Sequence, residues 1–111
     1  MPKLIAFVTA KEGMSRDAFI EYYETNHVPL VRRLLPTVGE YRRSYVAPDL
    51  IPGAMAVDYD CVTELGFDDQ AALDAFLTTI DESEIRALIR ADEANFIERS
   101  KTRTIGTEQR E

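Results

Sequence analysis

His27 is the only histidine among 111 residues and stands two positions before Pro29, in Phe19-Ile20-Glu21-Tyr22-Tyr23-Glu24-Thr25-Asn26-His27-Val28-Pro29-Leu30. An imidazole titrates near neutrality, which makes this residue the first candidate for general acid/base chemistry. Tyr23 precedes it by four, the spacing at which two side chains share one face of a helix. If Tyr23 faces the core, so does His27, placed to accept a proton or to polarise an oxygen. The structural alternative has His27 bonding only the backbone carbonyls that Pro29 leaves free.

Tyr41, Arg43 and Tyr45 alternate along one strand and project from one sheet face. They could line a pocket for an aromatic or carbonyl-bearing ligand, with Arg43 giving positive charge to an enolate. The other reading, slightly favoured, is a dimer-interface stripe, where Tyr and Arg are enriched. Asp60 is a candidate general base, or the group that orients His27. Aspartate at a strand entrance is more often a turn residue. Cys61 has no second cysteine to pair with and reads as a small core residue rather than a nucleophile. No nucleophile elbow is present, and the five glycines are isolated, so no phosphate-cradling loop exists. One cysteine and one histidine cannot build a Cys/His zinc site, and the carboxylates have no metal-ligand spacing. Neither cofactor nor metal is expected.

The elements that must position these residues follow from the pattern of apolar side chains. Leu4–Thr9 is apolar on both alternating faces, the signature of a strand covered on two sides. Its apolar run is short for a signal peptide and Lys11-Glu12 follow at once, so it reads as a strand. Ser15 caps a helix whose stripe of Phe19, Tyr23, Leu30 and Leu34 continues to about Leu35. Pro29 predicts a kink near Asn26-His27, with Asn26 a candidate cap for a second helical segment. Glu40–Val46 is the second strand, and Ala47–Tyr59, with Pro48, Pro52 and Gly53, a long loop of the kind that often forms a lid. Asp60–Phe67 is the third strand, and Asp68 caps a helix to about Thr79. A weaker helix spans Ser83–Ile89, a short turn Asp92–Phe96, and a last strand Ile97–Gly106, with the tail from Thr107 frayed.

The order strand, helix, strand, strand, helix, strand is that of a ferredoxin-like α+β protomer: a four-stranded antiparallel sheet with helices on one face. Helices on one face leave the other open, yet the first strand is apolar on both. A second copy of the chain is expected to cover it, giving a homodimer. The length suits a single domain over residues 1–111. With 13 basic against 20 acidic residues, the net charge of −7 turns the chain away from nucleic acid and anionic membranes. No apolar run approaches a membrane span, and the cysteine content suits a reducing cytoplasm.

Three blocks together resemble the EthD-like family of the dimeric α+β barrel superfamily. They are Gly13–Phe19 with Tyr22-Tyr23 and His27–Leu30, then Tyr59–Asp69, then Asp92–Ser100. The resemblance implies a ferredoxin-like protomer packed sheet to sheet with a twofold mate, with pockets between sheet and helices. His27 matches the family's characteristic histidine, whereas Gly66 stands where many relatives carry tryptophan; its small size would enlarge a cavity or weaken packing. Relatives range from accessory proteins of ether degradation to dehydratases and cyclases of aromatic polyketides, and more distantly to cofactor-free monooxygenases and lactone isomerases. The expected function is binding of a hydrophobic, oxygenated small molecule with cofactor-independent proton transfer: dehydration, cyclisation or isomerisation. His27 would be the acid or base, Tyr23 and Tyr45 would orient the substrate, and Asp60 or Arg43 would tune charge. The alternatives are cofactor-free oxygenation and a noncatalytic accessory or binding dimer.

Overall fold

Alternation in the first strand is the organising fact, because it sends Leu4, Ala6 and Val8 to one side and Lys3, Ile5 and Phe7 to the other. In the computed structural model, which describes residues 1–111, this strand is β1 (Pro2–Val8) at the centre of a four-stranded sheet. It pairs antiparallel with β3 (Cys61–Gly66) and β4 (Arg103–Glu108), and β2 (Glu40–Tyr45) pairs antiparallel with β3. The order is β2-β3-β1-β4, the ferredoxin-like arrangement. The register sets Ala6 opposite Thr63 and Thr104, and Tyr41 opposite Leu65. Leu4, Ala6, Val8, Cys61, Thr63, Leu65, Tyr41, Arg43 and Tyr45 therefore share one face.

The helices cover that face. Helix α1 (Arg16–Tyr22) starts at Ser15, whose hydroxyl accepts the Ala18 N–H at 3.1 Å. A π-helical turn, Tyr23–His27, follows and passes without a break into α2 (Val28–Leu34). Helix α3 (Gln70–Ile80) is capped by Asp69, one residue beyond the expected Asp68, through an Ala72 N–H bond of 2.8 Å. Helix α4 runs over Ser83–Glu93, longer than its weak pattern suggested, and absorbs Asp92 and Glu93. The core lies between helices and sheet. Phe19, Phe67, Phe96 and Cys61 are its most completely enclosed side chains.

The last strand begins later than its alternating pattern implied. Phe96 and Ile97 are buried, and Arg99–Lys101 forms a 3-10 turn, so pairing with β1 starts only at Arg103. The reason is local: the Thr102 hydroxyl donates to the Glu98 carbonyl at 3.1 Å and Ser100 to the Glu98 carboxylate at 2.9 Å, competing with an extended backbone. Thr107 is not frayed, for it pairs with Lys3 and its hydroxyl donates to the Lys3 carbonyl at 3.1 Å. The uncovered face carries Ile5, Phe7, Val62 and Ile105 beside Lys3, Glu64, Arg42 and Arg103. No helix is long and apolar enough to cross a membrane.

Candidate active site

Pro29 shapes the site by what it lacks. Without an N–H it cannot continue an α-helical ladder, and the chain widens into a π-helical turn over Tyr23–His27, where the disturbance was expected. The Val28 N–H donates to the Tyr23 carbonyl, five residues back, and the backbone at Tyr22, Tyr23, His27 and Val28 stays in the right-handed helical region. Asn26 does not cap a second helix; its amide donates to the Thr25 hydroxyl at 3.0 Å. The wide turn keeps Tyr23 and His27 on the inner side, 3% and 5% exposed, with rings 5.5 Å apart. Both pack on Phe96 with ring centroids 5.0 Å away.

His27 is held by a carboxylate from across the helical layer. Its Nδ1 lies 2.7 Å from Asp92 Oδ2, at the C-terminal end of α4. The other oxygen, Oδ1, accepts from the Tyr22 hydroxyl at 2.7 Å, and Asn95 donates to that hydroxyl at 2.8 Å. An ionised carboxylate only accepts hydrogen bonds, so the ring nitrogen that faces it, Nδ1, carries a proton, and in the neutral form of the ring the lone pair is on Nε2. Nε2 makes no hydrogen bond within the chain, and no buried side-chain nitrogen or oxygen lacks a partner; Nε2 therefore remains open to the adjoining space. Burial, then the bond to Asp92, hold the Tyr22 hydroxyl above the usual phenol range.

That space is a cavity of about 280 Å³ between sheet and helices. Most of its lining is apolar, with Leu4, Ala6, Leu65 and Ile89 among it, and His27, Tyr23, Tyr41, Thr63 and Glu93 supply polar atoms. An apolar hollow with a few convergent polar groups is the usual form of a small-molecule site. The Tyr23 hydroxyl meets Thr63 Oγ1 at 2.6 Å, and burial pushes its pKa up to about 12. Tyr41 is held above the usual phenol range by burial first and by the neighbouring Tyr23 second. Both therefore remain protonated hydroxyls near neutrality. Burial also raises Glu93, against the pull of His27, Arg99 and Arg90.

Residues 11–100 match the model of the EthD domain. The chain belongs to the EthD family. Among solved structures it is similar to an EthD family protein from Bacillus halodurans C-125, 22% identical, with 99% of each chain covered and a TM-score of 0.68. An EthD-like protein from Ralstonia eutropha JMP134 is 20% identical over 96% of this chain and 89% of its own, with a TM-score of 0.71. A protein from Thermobifida fusca YX described as dimeric and ferredoxin-like is 16% identical over 97% and 90%, with a TM-score of 0.58. These likenesses establish the ferredoxin-like fold. No curated protein matches the sequence.

Not every candidate of this EthD chain reaches the cavity. Tyr23 and Tyr41 line it, but Arg43 and Tyr45 do not. Arg43 grips Glu24 with two bonds of 2.8 Å and donates to the Tyr41 carbonyl at 2.6 Å, and Tyr45 donates to the same glutamate. The pair holds Glu24 below, and Arg43 above, their ordinary ranges, chiefly through that side-chain bonding. Arg43 is thus neutralised, not poised for an enolate. All three strand residues face the helices, which corrects the interface reading: the open face belongs to Arg42 and Ser44.

Asp60 is not brought to His27. Its carboxylate accepts the Ala10 N–H at 2.7 Å, and it lies beside a separate apolar hollow under the 47–59 loop. It is a turn residue at a strand entrance, and Asp92 holds the place assigned to it. Gly66 does not enlarge the cavity either; it faces the open side, where an added Cβ would sit 3.1 Å from that of Glu40. Cys61 is wholly enclosed, and burial pushes its thiol up to about 11, which suits a core residue. Sequence reading missed Asp92, Glu93 and Tyr22 as site residues. The one signal for the first two was their place in the third block of the family resemblance.

Proposed function

We propose that this EthD protein binds a hydrophobic, oxygenated small molecule in the sheet–helix cavity and moves protons on it without a cofactor. The observation that carries this reading is the arrangement of His27: Nδ1 held by Asp92, Nε2 unbonded beside an apolar cavity. In this reading Nε2 removes a proton from carbon next to a carbonyl, the imidazolium is stabilised by Asp92, and the same proton is returned elsewhere on the substrate. Tyr23 and Tyr41, kept protonated by burial, donate to the developing oxyanion. Dehydration, cyclisation and isomerisation share this opening step. The working unit is a homodimer in the cytoplasm: Ile5, Phe7, Val62 and Ile105 form an apolar patch on the open face, and a structural relative is described as dimeric.

The test is exchange of the α-protons of 2-tetralone in D2O, followed by NMR. Acceleration by the wild type that His27→Gln abolishes supports the reading; equal rates with the two proteins overturn it. One observation favours a noncatalytic binding dimer instead, since the chain Asn95–Tyr22–Asp92–His27 also ties the π turn to α4. Under that alternative, His27→Gln lowers the melting temperature and leaves both ligand affinity and exchange unchanged.

A further inference from the structure

Beside the His27 cavity lies a second hollow of about 430 Å³, and the two share Ile80, Ile89, Glu93, Ile97, Thr102 and Thr104 in their linings. Three arginines, Arg86, Arg90 and Arg99, stand around this outer hollow. Arg86 is tied to Asp81 at 3.2 Å, but neither Arg90 nor Arg99 has a side-chain hydrogen bond or an ion pair. Both are exposed, and both are near enough to influence Glu93, as His27 is from the cavity side. Glu93 therefore sits at the boundary between an apolar chamber and a basic mouth. Even with Glu93 ionised, the mouth holds one excess positive charge, on a chain whose net charge is −7.

Two unpaired guanidiniums at the rim of an apolar cavity are a recognition element for an anion attached to a hydrophobic body. Building on the small-molecule reading above, we infer that the ligand of this site is a hydrophobic ring compound bearing one carboxylate. The ring enters the chamber toward His27, and the carboxylate stays at the mouth between Arg90 and Arg99. A monoanion matches the single excess charge, whereas a dianion such as a phosphate monoester would leave charge uncompensated next to Glu93. A carboxylate also fits the planar guanidinium fork, so orientation is fixed as well as affinity: the acid end stays outward and the opposite end meets Nε2.

The probes are 2-naphthoate, 2-naphthyl phosphate and the neutral 2-naphthylmethanol, titrated into the full chain. Binding is read on the Hε1 resonance of His27, a single signal because the chain has one histidine. In the wild type, 2-naphthoate is expected to bind on the order of tenfold more tightly than 2-naphthylmethanol. In Arg90→Gln/Arg99→Gln, exposed substitutions that leave the core untouched, the two should come within about twofold, through loss of naphthoate affinity alone. Equal affinities in the wild type, or a preference that survives in the double variant, overturn the inference while leaving the cavity intact as a neutral-ligand site. Tighter binding of 2-naphthyl phosphate than of 2-naphthoate overturns the monoanion assignment. If none of the three moves the His27 signal, the small-molecule reading fails, and the inference with it.

Discussion

Replacing Asp92 with asparagine changes the charge at the His27 contact and nearly preserves its shape, and the hydrogen-bond chain dictates the response. Asn95 donates to Tyr22, and Tyr22 donates to Asp92 Oδ1. If that direction is kept in Asp92→Asn, the amide oxygen takes the place of Oδ1 and the amide nitrogen faces Nδ1 of His27. The nitrogen can only donate, so Nδ1 must become the acceptor, and Nε2 acquires the proton. The cavity then meets an N–H in place of a lone pair, and the general base is lost although nothing has moved. Two charge-assisted bonds become neutral ones, a loss of about 1–2 kcal/mol in a carboxylate only 14% exposed. For a domain of this size that lowers the melting temperature by about 5–10 °C. Asp92→Ala strands both donors, each worth about 1–3 kcal/mol when left unsatisfied, and should cost more than Asp92→Asn. The assay is a long-range ¹H–¹⁵N correlation on the single imidazole, at a pH where the ring is neutral. Protonated Nδ1 is expected in the wild type and protonated Nε2 in Asp92→Asn; the same tautomer in both proteins refutes the reasoning.

Three further outcomes can be measured. Phe96→Ala removes the ring against which Phe19, Tyr22, Tyr23 and His27 pack, and should cost about 3–5 kcal/mol by denaturant unfolding; a loss below about 1 kcal/mol would show that this aromatic cluster is not the keystone of the core. Burial raises the folded-state pKa of Glu93, so the native state holds more protons than the unfolded chain between the ordinary carboxylate value and the raised one, and stability falls as pH rises through that window. The melting-temperature advantage of Glu93→Gln over the wild type should therefore grow with pH across it, and a constant difference contradicts the assignment. Phe7→Glu and Val62→Arg each put a charge in the apolar patch of the open face and should abolish the proposed dimerisation in sedimentation equilibrium, whereas association unchanged from the wild type places the interface elsewhere.

The fold was legible because its signals are local. The two-faced apolar run of β1, the Ser15 cap, the apolar stripe of the first long helix and the turn residues between elements each act within a few positions, and together they leave one topology. The pairing of Tyr23 with His27 was legible for the same reason, being four residues apart on one helix. Asp92 was not, since 65 residues separate it from His27 and only the packing of α4 brings them together. The same blindness explains Arg43. Its alternation with Tyr41 and Tyr45 fixes parity along the strand, but parity says nothing about which side the helices cover, and Glu24 lies on another element. Pro29 announced a disturbance correctly in place, while its form, a widened π-helical turn, depended on tertiary packing that holds Tyr23 and His27 inward.

The position of a bound ligand relative to His27 bears most directly on the proposed function. A crystal structure of the complex with 2-tetralone should place the ring in the 280 Å³ cavity between sheet and helices. The α-carbon or carbonyl oxygen should lie within about 3–3.5 Å of Nε2. A ligand seated instead in the hollow beside Asp60, or a cavity that stays empty at saturating ligand, would contradict it.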